Sequence, residues 1–165
     1  PLTMAVKAMH AAPTVNLAPS STTGGFTTTF QAGGSPVDIA ASDALISSPG
    51  SPTLAGMTVT INAPPDGASE ILAADTSNTS ITSSPPGNVL MLTGVADTAT
   101  YQTVLERITY KDTASSPTSG SRTISVVVND GTAGSAAATA TVKIGVSLAA
   151  AADAALSQTN NWLAS

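Results

Sequence analysis

The residues that could do chemistry in this 165-residue chain are few and lie far apart in the sequence. His10 is the only histidine, and the chain has no cysteine, which removes thiolate catalysis and zinc–thiolate sites. No Gly-x-Ser-x-Gly elbow accompanies the serines, and no glycine-rich phosphate loop precedes a helix. Glu70 and Glu106 could pair as a general acid and base, but Glu106 is expected to face solvent. The sequence therefore predicts a protein that is not an enzyme.

Acidic side chains are the remaining candidate ligands, and calcium is the cation that they would suit. The ten acidic residues are scattered, and no two of them fall within three positions of one another. Calcium takes six to eight oxygen ligands, usually including several carboxylates. The sequence therefore predicts no high-affinity cofactor site. Asp43, Asp112 and Asp130 are the calcium candidates, on the condition that the fold brings them together.

The composition also excludes several classes of partner. Charged residues make up 9% of the chain, the net charge is -5 and the mean hydropathy is +0.24. The five basic residues are too few and too dispersed to neutralise a nucleic-acid backbone. The most apolar run, Leu148 to Leu156, is interrupted by Asp153 and is too short to span a bilayer. We expect neither nucleic acid nor a membrane-spanning segment.

Turn residues recur at short intervals, and the runs between them are rich in β-branched residues. This spacing is typical of an all-β protein, and it predicts an antiparallel β-sandwich. Asp130-Gly131 begins the connection between the last two strands, which predicts a hairpin. The candidate strands are Thr14–Leu17, Phe26–Phe30, Val37–Ile39, Met57–Ile61, Glu70–Ala73, Asn78–Thr82, Val89–Leu92, Ile108–Tyr110, Arg122–Asn129 and Ala136–Val146.

One segment breaks the strand pattern and predicts a short helical turn near residues 98–106. Tyr101, Leu105 and Ile108 are spaced i, i+4 and i+7, which places them on one stripe of a helix. Asp97 or Thr98 would be its N-cap, because short polar side chains accept hydrogen bonds from the first free backbone N–H groups.

Two terminal arms flank the predicted sandwich, which spans residues 13–146. The N-terminal arm, residues 1–12, alternates Leu2, Met4 and Val6 with other residues, so it could form an extended strand or act as a linker. The C-terminal arm, residues 147–165, is alanine-rich and predicts a helix. Trp162 in that arm either packs on its own domain or anchors in a neighbouring subunit.

The region from residue 101 to residue 131 resembles a known family. It reads YQTVLERITY, then Pro117, then RTISVVVNDG from Arg122 to Gly131. These motifs resemble cadherin-like, immunoglobulin-like repeats of large bacterial extracellular surface proteins, and the resemblance extends over approximately residues 13–146. It implies a secreted or cell-surface β-sandwich module for adhesion or surface assembly, commonly in tandem. Such repeats often carry paired aspartates resembling a calcium-ligating pattern, whereas this chain has only Asp43 there.

Two hypotheses of function follow. The first is a structural protein that self-assembles into a surface filament or matrix by strand addition and arm contacts, with itself as partner. Few charges defend its sheet edges, and the predicted interface residues are Leu2, Met4, Val6, Leu156, Trp162 and Leu163. The alternative is an adhesin repeat that binds a carbohydrate or surface-protein ligand, with or without calcium.

Overall fold

The computed structural model describes residues 9–22 and 25–145, and nearly half of these residues lie in β-strands. These described residues contain one α-helix, α1 (Thr98–Leu105), and one 3₁₀ turn (Gly67–Ser69). The strands are β1 (Thr14–Asn16), β2 (Phe26–Gln31), β3 (Val37–Asp38), β4 (Leu45–Ser47), β5 (Thr53–Asn62), β6 (Glu70–Ala74), β7 (Thr82–Ser83), β8 (Val89–Asp97), β9 (Ile108–Asp112), β10 (Gly120–Asn129) and β11 (Ala138–Gly145). The all-β class that the sequence predicted is confirmed.

Three sheets organise these strands. The largest has the order β2-β11-β10-β5-β8-β7, the second has the order β3-β9-β6, and β1 pairs with β4. The predicted hairpin between the last two strands is present, because β10 and β11 pair antiparallel. The expectation of a wholly antiparallel arrangement is wrong for one pair, since β2 and β11 are parallel. Parallel neighbours need a long crossover, and here nearly the whole domain lies between the two strands.

The core forms where the six-stranded and three-stranded sheets contribute side chains to one cluster. Strand β10 shows the pattern, because Ile124, Val126 and Val128 are fully buried, while Ser125 and Val127 between them are only half-buried. Phe30 of β2 and Tyr110 of β9 connect the two sheets through an edge-to-face ring contact, with centroids 5.7 Å apart. Alternation along the strands therefore places one face of each sheet in a shared interior.

The helix begins as the sequence predicted and ends earlier. Asp97 is the N-cap, and its carboxylate accepts a hydrogen bond of 2.7 Å from the Thr100 backbone N–H. Tyr101 and Leu105 are buried as expected, but α1 ends at Leu105 and Ile108 begins β9. Ile108 still reaches the core, because a strand that starts two residues after the helix presents it to the same interior.

Two strand predictions need correction. The Asn78–Thr82 candidate is wrong at its start, because Asn78 has a φ of 61° in a turn and the strand is only Thr82–Ser83. Asparagine tolerates this left-handed conformation better than most residues. Strand β4 was missed because three residues are too few to show a periodicity. The predicted interface residues Leu2, Met4, Val6, Leu156, Trp162 and Leu163 lie outside the described residues.

Candidate functional site

A buried cluster of charged side chains joins the two larger sheets. Arg122 lies on β10, and Glu70 and Asp112 are directly opposite one another on β6 and β9. Relative exposures of 1% for Arg122, 0% for Glu70 and 2% for Asp112 place all three in the interior. Like charges opposite each other on a sheet repel. The arginine from the facing sheet supplies the compensating charge.

The guanidinium of Arg122 occupies the centre of this cluster. Its Nε donates a short hydrogen bond to the Glu70 carboxylate. Its Nη2 donates to Asp66 Oδ2 at 2.7 Å and to the Thr118 carbonyl at 2.9 Å, and it lies 3.6 Å from Asp112 Oδ2. Thr118 in turn donates to both Asp66 oxygens, at 2.8 Å from its backbone N–H and 2.5 Å from its hydroxyl. Arg122 therefore links two sheets and the loop after β9.

The ionisation of the cluster follows from burial and hydrogen bonding. Burial raises the pKa of Glu70 and of Asp112 above the ordinary range of a carboxyl group. Hydrogen bonds from Thr118 lower the pKa of the Asp66 carboxyl. For Arg122, burial acts to lower the pKa, but the hydrogen bond and charge attraction from Glu70, together with the interaction with Tyr110, outweigh it and the pKa is raised. The arginine therefore stays charged beside carboxyl groups that are costly to ionise.

Three polar atoms in this region, Glu70 Oε2, Asp112 Oδ2 and the Tyr110 hydroxyl oxygen, are buried and have no hydrogen-bond partner among the described residues. Carboxylate oxygens of Asp66, Glu70 and Asp112 also lie within 4.8 Å of one another, close enough to share a cation. That space already contains the guanidinium, and a divalent ion would have to approach it against charge repulsion. The residues present therefore fit an internal ion-pair network better than a calcium site.

The structure does not bring the sequence-predicted calcium candidates together. Asp43 accepts hydrogen bonds from the Ser20 backbone N–H, at 3.2 Å, and from the Ser20 hydroxyl. Asp112 belongs to the Arg122 cluster. Asp130 lies in the β10–β11 connection, where it accepts backbone hydrogen bonds from Thr132 and Ala133. Among the residues described, only Asp66, Glu70 and Asp112 form a group of three candidate ligands.

Glu70 and Glu106, the acid–base pair considered from the sequence, have separate structural roles. Glu70 is bound to Arg122, whereas Glu106 is the half-buried C-cap of α1. Sequence reasoning missed the Arg122 cluster, although a signal was present. Arg122 has the same phase as the buried Ile124, and Asp112 has the same phase as Tyr110. A charged residue in the buried phase of a strand indicates a paired charge inside the fold.

A second candidate site is the edge of the six-stranded sheet formed by β2. In the part of the chain that the structure describes, β2 has one hydrogen-bonded neighbouring strand, β11. Its six residues, FTTTFQ, include no charge, and Thr27 and Thr29 are exposed. A groove of about 330 Å³ lies beside the start of this edge, lined in part by Ala18, Phe26 and Ala41. Among the described residues no strand pairs with the free side of this edge, and β2 itself contains no lysine to discourage pairing.

The outer face of the same sheet is nearly free of charge. The outward positions of β2, β5, β10 and β11 are mostly threonine, serine and asparagine, with Lys143 as their one charged side chain. On β8, Val89, Met91 and Val95 are exposed by 48%, 53% and 71%. Of the aromatic residues that are described, Phe26 is half-buried and the others are buried, so no exposed ring offers a sugar platform.

The described chain enters and leaves the fold at opposite ends. His10 Nε2 lies 2.6 Å from Asp130 Oδ2, in the connection that leads into β11. Hydrogen bonds from the Ala133 and Thr132 backbones and from His10 hold the pKa of Asp130 at about 2. From that connection β11 runs eight residues to Gly145, a rise of roughly 26 Å. The two chain exits are therefore separated by the length of a strand.

The comparisons with known proteins give no relative. No family model, no curated protein and no solved structure matches this chain. Over residues 9–22 and 25–145, no helix has the length and apolar character needed to cross a membrane.

Proposed function

We propose that this chain is a self-assembling structural module of a secreted or cell-surface filament or matrix, and that strand addition joins its copies. The observation that carries the proposal is the free edge of β2, which is six residues long and uncharged. Soluble proteins usually protect such edges with charge, proline, bulges or covering loops, because open edges template pairing with other chains. An edge left open is suited to an incoming strand.

The positions of the chain exits support a linear assembly. His10 lies at one end of β11 and Gly145 at the other. Contacts between the leading segment of one copy and the body of the next would be heterologous, because different surfaces meet. Repeated heterologous contacts that do not close generate a filament.

The finer fold assignment is part of this proposal. A cadherin-like or immunoglobulin-like sandwich is supported by the two sheets that share one core, and by the helical turn between β8 and β9. It is also supported by the motif resemblance between residues 101 and 131. The Arg122 cluster gives the Arg-Thr-Ile strand of that motif a structural role, because the arginine connects the two sheets.

The alternative function is an adhesin repeat within a covalent tandem array. The separated chain exits favour it as well, because consecutive units in one chain need an entrance and an exit at opposite ends. Thermal melting with added calcium separates self-assembly from the calcium-dependent form of the adhesin. A melting temperature that rises strongly at micromolar calcium would favour the adhesin, since a ligand that binds only the folded state stabilises it.

The proposal is tested by deleting residues 1–8 and measuring assembly by sedimentation and negative-stain microscopy. The deletion stops before His10 because His10 and Ala11 pack against Asp130 and Gly50. We expect the intact chain to form particles larger than a monomer, and the truncated chain to remain monomeric with an unchanged melting temperature. An intact chain that stays monomeric at high concentration would contradict self-assembly.

A pair of matched variants locates the effect within the segment. One variant replaces the predicted apolar face, Leu2, Met4 and Val6, with serine, and its control replaces Thr3, Ala5 and Lys7 with serine. Burial of the three apolar side chains would contribute on the order of 5 kcal/mol before ordering costs. Only the first variant is therefore expected to abolish assembly, and equal loss in both would contradict a face-specific contact.

A further inference from the structure

Residues 2–8 repeat the sequence pattern of the last strand of the domain. LTMAVKA aligns without gaps with ATATVKI, residues 138–144 of β11, and threonine, valine and lysine are identical at three of the seven positions. The shared lysines are Lys7 and Lys143. The N-terminal segment therefore has the composition and phase of a strand that this fold already uses.

Alternate residues of β11 face opposite sides of the sheet, and each side has its own environment. Ala140 and Val142 are buried in the core, whereas Thr139 and Lys143 are exposed on the outer face of the sheet. The aligned residues of the segment keep this division. Leu2, Met4, Val6 and Ala8 fall in the core-facing phase, and Thr3, Ala5 and Lys7 fall in the outward phase. A strand with this pattern would extend the six-stranded sheet with both of its faces correctly matched.

Strand β2 is the edge that such a strand fits. β2 already pairs in parallel with β11 over six registered positions, from Phe26 opposite Ala140 to Gln31 opposite Gly145. Its other side has no neighbouring strand among the described residues. The groove beside the start of β2 adjoins the place where an added strand would enter, and its lining combines Ala18, Phe26 and Ala41 with polar residues that include Ser20 and Asp43.

The direction of the strand agrees with a head-to-tail contact. A segment that runs parallel to β2 would reach residue 8 near the Gln31 and Gly145 end of the acceptor copy. His10 of the donor follows two residues later and marks the opposite end of its own domain. The tail end of one copy would therefore meet the head end of the next.

We infer that residues 2–8 of one copy add as a strand, parallel to β2, on the free edge of β2 in a second copy. This inference rests on the proposed self-assembly and specifies its donor, its acceptor and their relative direction. The added strand covers the unguarded edge of the acceptor and leaves the lysine of the segment on the outer, threonine-rich face.

Disulfide trapping tests the inference cleanly because the chain has no native cysteine. By analogy with the pairing of Thr141 and Thr27, Ala5→Cys in one copy is mixed with Thr27→Cys or, for a slip of two residues, Thr29→Cys in another. The control partner is Thr58→Cys, an exposed threonine on the same face of the central strand β5. We expect cross-linked dimers from the Thr27 or Thr29 mixtures and not from the Thr58 mixture.

A third partner distinguishes strand addition from strand replacement. Thr123 of β10 lies opposite Thr141, so Thr123→Cys reports on the position that β11 itself occupies. Capture of Ala5→Cys by Thr123→Cys would show that the segment replaces β11, and it would overturn addition at the free edge. Equal capture by Thr58→Cys would overturn it as well.

Sedimentation of the same mixtures separates this inference from the proposed function. If the mixtures stay monomeric, both are wrong. If they assemble while neither Thr27→Cys nor Thr29→Cys captures the segment, self-assembly stands and β2 is not the acceptor.

Discussion

The Arg122 cluster and the free edge of β2 belong to the same pair of facing sheets, but they differ in their content of charged residues. The cluster collects three of the ten acidic residues and one of the five basic residues of the chain, with Asp66 half-buried and the other three fully buried. The β2 edge has no charged residue along six positions. In a chain with only 9% charged residues, charge is therefore concentrated where it joins sheets and is missing where it would protect an edge.

Because of this difference, we expect mutations in the cluster and mutations at the β2 edge to change different measured quantities. Substitutions in the cluster should change the free energy of unfolding, because they leave buried charges without partners. Substitutions at the β2 edge should change association and leave the folded monomer intact, because the edge is exposed.

The largest expected effect is that of removing the cluster's cation. Arg122→Met should lower the free energy of unfolding by about 3–5 kcal/mol, since three carboxyl groups would lose their shared partner. Urea denaturation of the monomeric, truncated chain measures this loss. Arg122→Lys keeps the charge but loses the planar guanidinium that reaches several partners at once, so an intermediate loss is expected. If both variants were as stable as the parent, the cluster would have no role in joining the sheets.

The stability of the fold should depend on pH, because the pKa values of the cluster's carboxyl groups are shifted. Glu70 and Asp112 have raised pKa values, so their contribution is largest below the unfolded values near 4 and is lost as the pH rises through the folded values. Asp66, Asp97 and Asp130 have lowered pKa values, so their contribution is lost as the pH falls below 3.8. Stability should therefore be highest in mildly acid solution, as thermal melts across pH 3 to 8 would show.

A matched variant tests whether the cluster causes the predicted fall in stability as the pH rises from mildly acid to neutral. Glu70→Gln removes one titrating group while keeping the shape of its side chain. The fall in melting temperature between mildly acid and neutral pH should become shallower in this variant. A decline of the same size as in the parent would assign the pH dependence to other groups.

The two buried tyrosines provide a smaller contrast. The Tyr101 hydroxyl donates to the Gly94 carbonyl at 2.6 Å, whereas the Tyr110 hydroxyl, next to Arg122 of the cluster, makes no hydrogen bond of good geometry with the residues that the structure describes. Tyr101→Phe should therefore cost about 1 kcal/mol, and Tyr110→Phe should be neutral within about 0.5 kcal/mol. Urea denaturation distinguishes them. A larger loss at Tyr110 would reveal that its hydroxyl is used within the cluster.

The smallest expected change in stability accompanies the largest change in association. Thr27→Lys places a charge at the β2 edge, opposite the uncharged Thr141, and should change the free energy of unfolding by no more than about 0.5 kcal/mol while abolishing assembly. Thr58→Lys makes the same substitution at an exposed position of the central strand β5 and should assemble normally. Sedimentation velocity compares the two, and equal behaviour would remove the edge from the explanation.

The sequence predicts those parts of the fold that depend on local spacing. Alternation identified β5 and β10, and the position of Asp97 identified the start of α1. The parallel pairing of β2 with β11 could not be predicted, because alternation fixes which face is buried and not which strand lies alongside. Short β4 was missed for lack of a period.

The candidate sites were harder to predict because they depend on residues far apart in the chain. Asp66 and Arg122 are separated by 56 positions, and their contact exists only once β10 lies over the 3₁₀ turn. Arg122 itself was visible as a charged residue in phase with Ile124. The free edge of β2 had no local signature either, because an edge strand and a central strand can have the same sequence pattern.

The position of β11 between two partners has a mechanical consequence. Tension applied along β11 would act against seven registered pairs with β10 and six with β2, in line with the strand. Pairs loaded in shear yield together, whereas pairs at the end of a hairpin open one by one. Extension by optical tweezers should therefore show one abrupt unfolding event at high force, and a gradual sequence of small steps would contradict it. A module of this kind would hold its length under load until it failed as a unit.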